Sequence, residues 1–243
     1  VEKVDYKNGS LNINPISGNN LYTSIDLEIQ EYADSLMQHK VGSVVAIEPS
    51  TGEILAMVSA PSYDASLLTG NNFSNYYQQL ALDPMKPLLN RPPSAYYRPG
   101  STFKLVQALV GQQLGFIGPG TVYSHAGAPV KCHGHGAVDL RGAIRVSCNP
   151  YFYAVVRRII QQNKKGNLYA DAEYGLNSWH KYMQSFGLGK ELGVDVSGQR
   201  PGLIPDSKYC DKWYGHHQWA FSTIRSISIG QGEVKLTPIQ MAN

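Results

Sequence analysis

RPGSTFK, residues Arg98 to Lys104, decides how the chain is read. The Pro99-Gly100 pair breaks any element that runs into it. Phe103, Val106, Leu109, Val110 and Leu114 then follow at helical spacing up to a stop at Gly115. The pattern predicts a helix that opens at Ser101. Residues three apart share a helix face, so the Lys104 amine comes within reach of the Ser101 hydroxyl, the minimum arrangement for a serine nucleophile with a lysine base. By itself Ser-x-x-Lys also describes ordinary solvated helix surface, and the neighbouring sequence has to decide.

Upstream, SVVAIE (Ser43 to Glu48) and EILAMVS (Glu53 to Ser59) are apolar, β-branched runs around a Pro-Ser-Thr-Gly turn. They predict an antiparallel hairpin apolar enough to be covered on both faces. Before it, Thr23-x-x-Asp26 predicts a helix capped at Thr23, with Ile29, Ala33, Leu36 and Met37 on its apolar face. Ala60 to Pro99 is rich in Pro, Asn and Tyr and reads as mostly loop.

Downstream, Gly118 to Asp139 is irregular and dense in Gly and His, and Leu140 to Ser147 reads as a short helix. Asn149-Pro150 has the form of an N-cap followed by Pro at the first helical position, with Phe152, Val155, Val156, Ile159 and Ile160 as the apolar face. Ser147 and Asn149 thus fall on the turn between two helices. Trp179, Tyr182, Met183 and Phe186 mark another helix that ends at Gly187. Leu188 to Gln218 is loop-rich, Ser222 to Gly230 alternates weakly, and Thr237-Pro238 starts a last helix. A hairpin, several helices and long loops argue for an α/β chain of the α+β type, with helices packed on an antiparallel sheet. Residues 1 to 20 are polar with Asn-Gly and Ser-Gly signals and read as a linker or the end of a preceding segment, leaving 21 to 243 as the domain.

With 243 residues, 42% hydrophobic and 16% charged, the chain can bury a sizeable core. A formal charge of +3 without a basic run argues against a nucleic-acid partner and against a membrane-surface patch. No stretch approaches the ~20 apolar residues of a membrane span. The abrupt ends at Val1 and Asn243 predict an excised piece, so the absence of an anchor here does not show its absence in the parent protein. Three cysteines are too few for a disulfide scaffold.

Ser147-Cys148-Asn149 has the form Ser-x-Asn and follows Ser101 at the interval of a second motif in serine acyl-transfer enzymes. With TSIDLEIQ (Thr23 to Gln30), VVAIEPSTGEILAMVSAPSYD (Val44 to Asp64), NRPPSAYYRPGSTFK (Asn90 to Lys104) and SIGQGEVKLTPIQMAN (Ser228 to Asn243), the chain resembles the transpeptidase domain of class B penicillin-binding proteins, the type 2 branch most of all. The resemblance implies a fold of the penicillin-binding-protein and serine β-lactamase type. It implies a peptidoglycan D,D-transpeptidase in which Ser101 attacks the D-Ala-D-Ala end of a stem peptide, Lys104 accepts its proton, Ser147 relays a proton to the leaving amine and Asn149 binds the substrate backbone. It further implies acylation by β-lactams, work alongside the elongation machinery of the cell wall, and a place on the periplasmic face of the bacterial inner membrane. One departure stands against activity of this piece. The family's Lys-Thr-Gly or Lys-Ser-Gly motif should come after the TPIQ helix and does not, while Lys7 to Ser10 precedes the nucleophile. The expectation is therefore an impaired fragment that lacks C-terminal strands.

His125, Cys132, His135 and Cys148 form H-x6-C-x2-H-x12-C, two thiols and two imidazoles that suit tetrahedral zinc. Some type 2 penicillin-binding proteins hold zinc beside the Ser-x-Asn turn, and His135 and Cys148 fall on matching positions. His125 sits one place from the family's first ligand, where Ser124 stands, and Cys132 replaces an acidic ligand, with His133 or Asp139 as substitutes. Such a zinc would be structural. The plain alternative is a buried Cys148, an exposed His-Gly loop and a Cys132 to Cys148 disulfide after export. Cys210 shows no partner, and His216-His217 read as surface residues. Two other functions compete: a class D-like β-lactamase or β-lactam sensor, since STFK occurs there too, and a non-catalytic module of cell-wall assembly.

Overall fold

The computed structural model describes residues 17 to 243 except Ala126 and His133; the predicted linker up to residue 16, with Lys7 to Ser10, and the substitute ligand His133 lie outside the described residues. The hairpin forms from β1 (Gly42–Ile47) and β2 (Ile54–Ala60), in register from Gly42 opposite Ala60 to Ile47 opposite Ile54. It is not covered on both faces as expected. Ala56, Val58 and Ala60 of β2 are buried in alternation, whereas β1 is half-buried throughout. Helix α1 (Leu27–Leu36) lies against β2. Its Gln30 reaches the Met57 backbone, Oε1 accepting from N–H at 2.8 Å and Nε2 donating to the carbonyl at 3.3 Å, so an amide side chain stands where another strand would pair. The cap of α1 is Asp26 rather than Thr23. Its carboxylate accepts from Ile29 N at 3.0 Å while its own N–H is tied to Leu55 O at 2.9 Å, so the helix begins where the chain leaves β2.

The expectation of loop from Ala60 to Pro99 is corrected by α2 (Phe73–Leu82) and α3 (Arg91–Ser94). Helix α2 buries only Leu80, so it shows no apolar stripe to read, and α3 is a single turn started by Pro92 and Pro93.

The apolar core is built around α6 (Asn149–Ile160), whose Tyr151, Phe152, Val155, Val156, Ile159 and Ile160 are fully buried. Packed on it are α4 (Lys104–Gln113), α5 (Leu140–Arg145) and α7 (Leu168–Ser185). Two glycines let these helices approach. A Cβ on Gly175 would lie 2.2 Å from Ile160 O, and one on Gly111 2.9 Å from Val155 Cγ1. Helix α8 (Ser207–Tyr214) interrupts the predicted loop, capped by Asp206 and anchored by buried Cys210. The weakly alternating stretch from Ser222 is helical: α9 (Phe221–Ile224) runs into a 3-10 turn at Arg225–Ile229. Phe221, Ile224 and Ile227 are buried and spaced by three, a helical period hidden by the intervening serines. Helix α10 (Pro238–Ala242) starts at Thr237 as read and borders β1 and α3. The α+β class thus stands, with α1, α3 and α10 against the hairpin and the larger helices packed on one another.

Candidate active site

The nucleophile candidate sits in a tighter turn than the sequence predicts. Gly100–Phe103 is 3-10, and α4 proper begins at Lys104. Phe103 is buried and meets Trp179 edge to face at 6.2 Å, which anchors the turn while Ser101 faces solvent. Behind the turn, Gly100 N–H donates to Gly230 O at 2.8 Å, and Arg98 Nε donates to Gly232 O at 3.1 Å. Gly230 closes the 3-10 turn in the left-handed region, φ 67°, and a Cβ there would lie 2.2 Å from Gly100 O. One turn beyond Lys104, Gln107 is fully buried. Its Nε2 donates to Ile227 O at 3.0 Å and its Oε1 accepts from Trp179 Nε1 at 2.7 Å. Sequence reading passed over Gly230 and Gln107 as supports. The available signals were an amide on the apolar face of a helix and the Gly-Gln-Gly string itself.

Lys104 joins the two halves of the site. Its Nζ lies 3.1 Å from Ser101 Oγ, 2.9 Å from Ser147 Oγ, 2.8 Å from Ser147 O and 2.6 Å from Asn149 Oδ1. The residue is only 3% exposed, with Nζ 5.8 Å from the centroid of the Phe152 ring. Burial pushes the Lys104 ammonium below the ordinary lysine value, partly offset by the charges that the Cys148 and Cys132 thiols can carry. The structure therefore brings Ser101, Lys104, Ser147 and Asn149 to one point.

The facing turn is set by both of its helices. Asp139 caps α5, accepting from Gly142 N at 2.7 Å, and Ser147 takes a left-handed backbone, φ 52°. That conformation is uncommon for a residue with a Cβ. The predicted N-cap role of Asn149 is corrected. Cys148 caps α6, its Sγ accepting from Tyr151 N at 3.3 Å, because the Asn149 amide is held elsewhere: Oδ1 by Lys104, and Nδ2 by donation to Lys131 O at 3.2 Å.

Beside this turn, His125, Cys132, His135 and Cys148 each offer one donor atom, all within 4.8 Å of one another. Cys132 Sγ is 2.9 Å from His135 Nε2, and Cys148 Sγ is 3.2 Å from His125 Nε2. His135 Nδ1 faces Gly136 O at 2.9 Å, the kind of second contact that orients a ligating imidazole. Two thiols and two imidazoles at these separations fit the ligand spacing of a tetrahedral zinc, with metal–ligand bonds of ~2.0–2.3 Å. Asp139 is used as a cap and does not join the group. Burial pushes the Cys148 thiol up. Cys210 is buried in α8, its thiol pushed up to about 12 by the same cause. His216 and His217 stand by Tyr169: the Asp211 carboxylate accepts from Tyr169, from Trp219 Nε1 at 2.7 Å and faces His216 Nδ1 at 3.1 Å, which pins a loop to α7.

A buried lysine shared between a serine on one helical turn and a Ser-x-Asn turn on its neighbour is an arrangement for serine acyl transfer. The chain belongs to the penicillin-binding protein transpeptidase family, whose domain model matches residues 42–243. It is 34% identical over 240 residues to peptidoglycan D,D-transpeptidase MrdA of Acinetobacter baumannii, covering 94% of this chain and 33% of that protein. Among solved structures, it matches PBP2 of Pseudomonas aeruginosa in complex with WCK 5153 at a TM-score of 0.78 and 33% identity, over 94% of this chain and 49% of the other. It also matches PBP2 in the complex with MreC from Helicobacter pylori, at a TM-score of 0.75 and 28% identity, over 89% and 39%. The chain thus spans about a third of the length of the curated relatives it matches.

Proposed function

We propose that this chain carries the acyl-transfer site of a peptidoglycan D,D-transpeptidase that cross-links stem peptides through a serine acyl-enzyme. The observation that carries this reading is the Lys104 amine, buried and within hydrogen-bond distance of Ser101 Oγ, Ser147 Oγ and Asn149 Oδ1 at once. Ser101 Oγ attacks the carbonyl of the penultimate D-Ala as Lys104, in its neutral form, takes the hydroxyl proton. The terminal D-Ala leaves with a proton relayed through Ser147, and the Asn149 amide hydrogen-bonds the peptide backbone. The Ser101 N–H supplies one donor to the oxyanion. An amine of a neighbouring stem then takes the acyl group, and Ser101 recovers its proton. β-Lactams acylate the same oxygen.

His125, Cys132, His135 and Cys148 would hold a structural zinc that clamps their loop and leaves no open position for chemistry. The likeness to the solved PBP2 from a complex with MreC supports a place in the elongation machinery of the cell wall. With it comes a position on the periplasmic side of the inner membrane through an anchored parent; no helix among the described residues is long and apolar enough to cross a membrane.

Mass spectrometry of the full-length protein after treatment with penicillin tests the acyl-enzyme. A covalent adduct mapping to Ser101 and missing from Ser101→Ala is expected; no adduct on any serine would overturn the reading and favour a non-catalytic module. An adduct that hydrolyses within seconds would favour a β-lactamase instead. Elemental analysis should find near-stoichiometric zinc, lost on replacing Cys132 and Cys148 together.

A further inference from the structure

The four-donor group has a property that a metal site of harder ligands would lack. Two of its donors are thiols, and their sulfurs lie within 4.8 Å of each other. Cys148 is rooted in the fold, 1% exposed and capping α6, whereas Cys132 is half-exposed on a stretch with no helix or strand among the described residues between Tyr123 and Val138. One sulfur is therefore fixed and the other is carried on backbone that can move the short distance a disulfide requires. We propose that Cys132 and Cys148 are a redox pair, so that the group exists either as a metal-clamped dithiolate or, without metal, as a Cys132–Cys148 disulfide. The inference rests on the placement of the two thiols and stands apart from the transpeptidase reading.

The oxidant is an incoming disulfide, either a small molecule or a thiol-disulfide exchange protein. The Cys132 thiolate, the accessible one, attacks one of its sulfurs, forms a mixed disulfide and expels the other sulfur as a thiolate. The Cys148 thiolate then attacks Cys132 Sγ and expels the remaining incoming sulfur. Two protein thiols are oxidised to one disulfide, the incoming disulfide is reduced to two thiols, and the two protons leave with them. A bound metal would hold both steps back, because each sulfur would donate a lone pair to it and be a weaker nucleophile than a free thiolate. The new bond would join the residue after Lys131, whose carbonyl accepts from the Asn149 amide, to the residue between Ser147 and Asn149. Cys210 is fully buried in α8 and serves as an internal reference.

The test uses the full-length protein, stripped with a chelator or loaded with zinc, and incubated with oxidised glutathione. Thiols of this domain are then counted under denaturing conditions by alkylation and peptide mapping. The stripped protein should fall from three free thiols to one, Cys210, with a cross-linked peptide lighter by two hydrogens, while the loaded protein keeps all three. Cys132→Ser, a change at a half-exposed site, should leave both Cys148 and Cys210 free. Three free thiols in the stripped protein, or a glutathione adduct on Cys132 that never resolves, would overturn the pairing. Loss of thiols at the same rate in loaded and stripped protein would overturn the exclusion of one state by the other. Penicillin labelling of Ser101 in reduced protein reports separately on the transpeptidase reading.

Discussion

The two sides of the site are held in place by different physics. Lys104 opens α4, which buries Gln107, Ala108 and Val110, and Ser101 rides on the 3-10 turn just before it, anchored by buried Phe103 and locked to Gly230 through the Gly100 amide. The loop that bears His125, Cys132 and His135 is held more thinly, tied to the core chiefly near its start by buried Tyr123 and by Tyr151 Oη donating to Thr121 O at 3.1 Å. Between Gly118 and Asp139 its internal backbone pairing comes down to the Thr121–Gly118 and Ala128–His125 bonds and the Tyr123–Val138 bridge, among the described residues. Burial of apolar surface positions the first side, and a knot of four polar donors positions the second. The difference teaches that the nucleophile should be ordered whatever the solution conditions, whereas the loop should follow the state of its donors.

The largest effects belong to the helix-held side. Lys104→Met should lower the rate of β-lactam acylation by ~10²–10⁴-fold, the usual contribution of a positioned base, with the fold retained. Stopped-flow acylation of the full-length protein measures this; a loss below about 10-fold would remove Lys104 from the base role. The same base predicts a pH profile. Lys104 accepts a proton only when neutral, and burial lowers its pKa, so acylation should rise with pH through a midpoint below the ~10.4 of an ordinary lysine. A midpoint at or above that value would contradict the burial argument.

Next comes the lock behind the turn. Gly230→Ala must place a Cβ where Gly100 O lies 2.2 Å away, in a backbone region that L side chains rarely adopt. Strain and overcrowding together should cost about 3 kcal/mol of stability. Denaturant unfolding should show a lowered midpoint, together with slower acylation, because Gly100 is the residue before Ser101. An unchanged midpoint would mean that the Gly230 contact does not hold the nucleophile turn.

Much of this was legible in the residues, for a stated reason. Helix α6 announces itself because Val155, Val156, Ile159 and Ile160 repeat on one buried face, and the hairpin because β-branched runs flank a tight turn. Ser101 and Lys104 share a face by helix geometry alone. Helix α2 escaped because it buries a single leucine, and the turn at Arg225–Ile229 because serines between its buried residues imitate a strand. The identity of the α6 cap was not accessible from pattern either. Asn149 has the better capping side chain, but its amide is claimed by Lys104 and Lys131, which only the folded chain brings near, and the cap falls to a cysteine. The four donors were visible as a spacing; their convergence depends on a loop with no periodicity at all.

The smallest effect on chemistry is expected from stripping metal from that loop. The loop meets the Ser147 to Asn149 turn through Cys148 Sγ against His125 Nε2 and through Asn149 Nδ2 donating to Lys131 O at 3.2 Å, one residue from Cys132; the second holds a side chain that also bonds Lys104. A neutral hydrogen bond of this kind is worth ~0.5–1.5 kcal/mol, and ~1.4 kcal/mol corresponds to tenfold in rate. Lys104 keeps its contacts with Ser101 and Ser147 whatever the loop does, since both sit on elements packed into the core. Chelated, fully reduced protein should therefore acylate within about 10-fold of the metal-loaded protein. Hydrogen exchange should separate the two sides more sharply, with amides between Thr121 and Val138 losing protection while those of α4 and α6 keep theirs. A drop in acylation beyond about 100-fold without metal would exceed what one such bond can carry, and would mean that the loop, not α4, sets the geometry around Lys104.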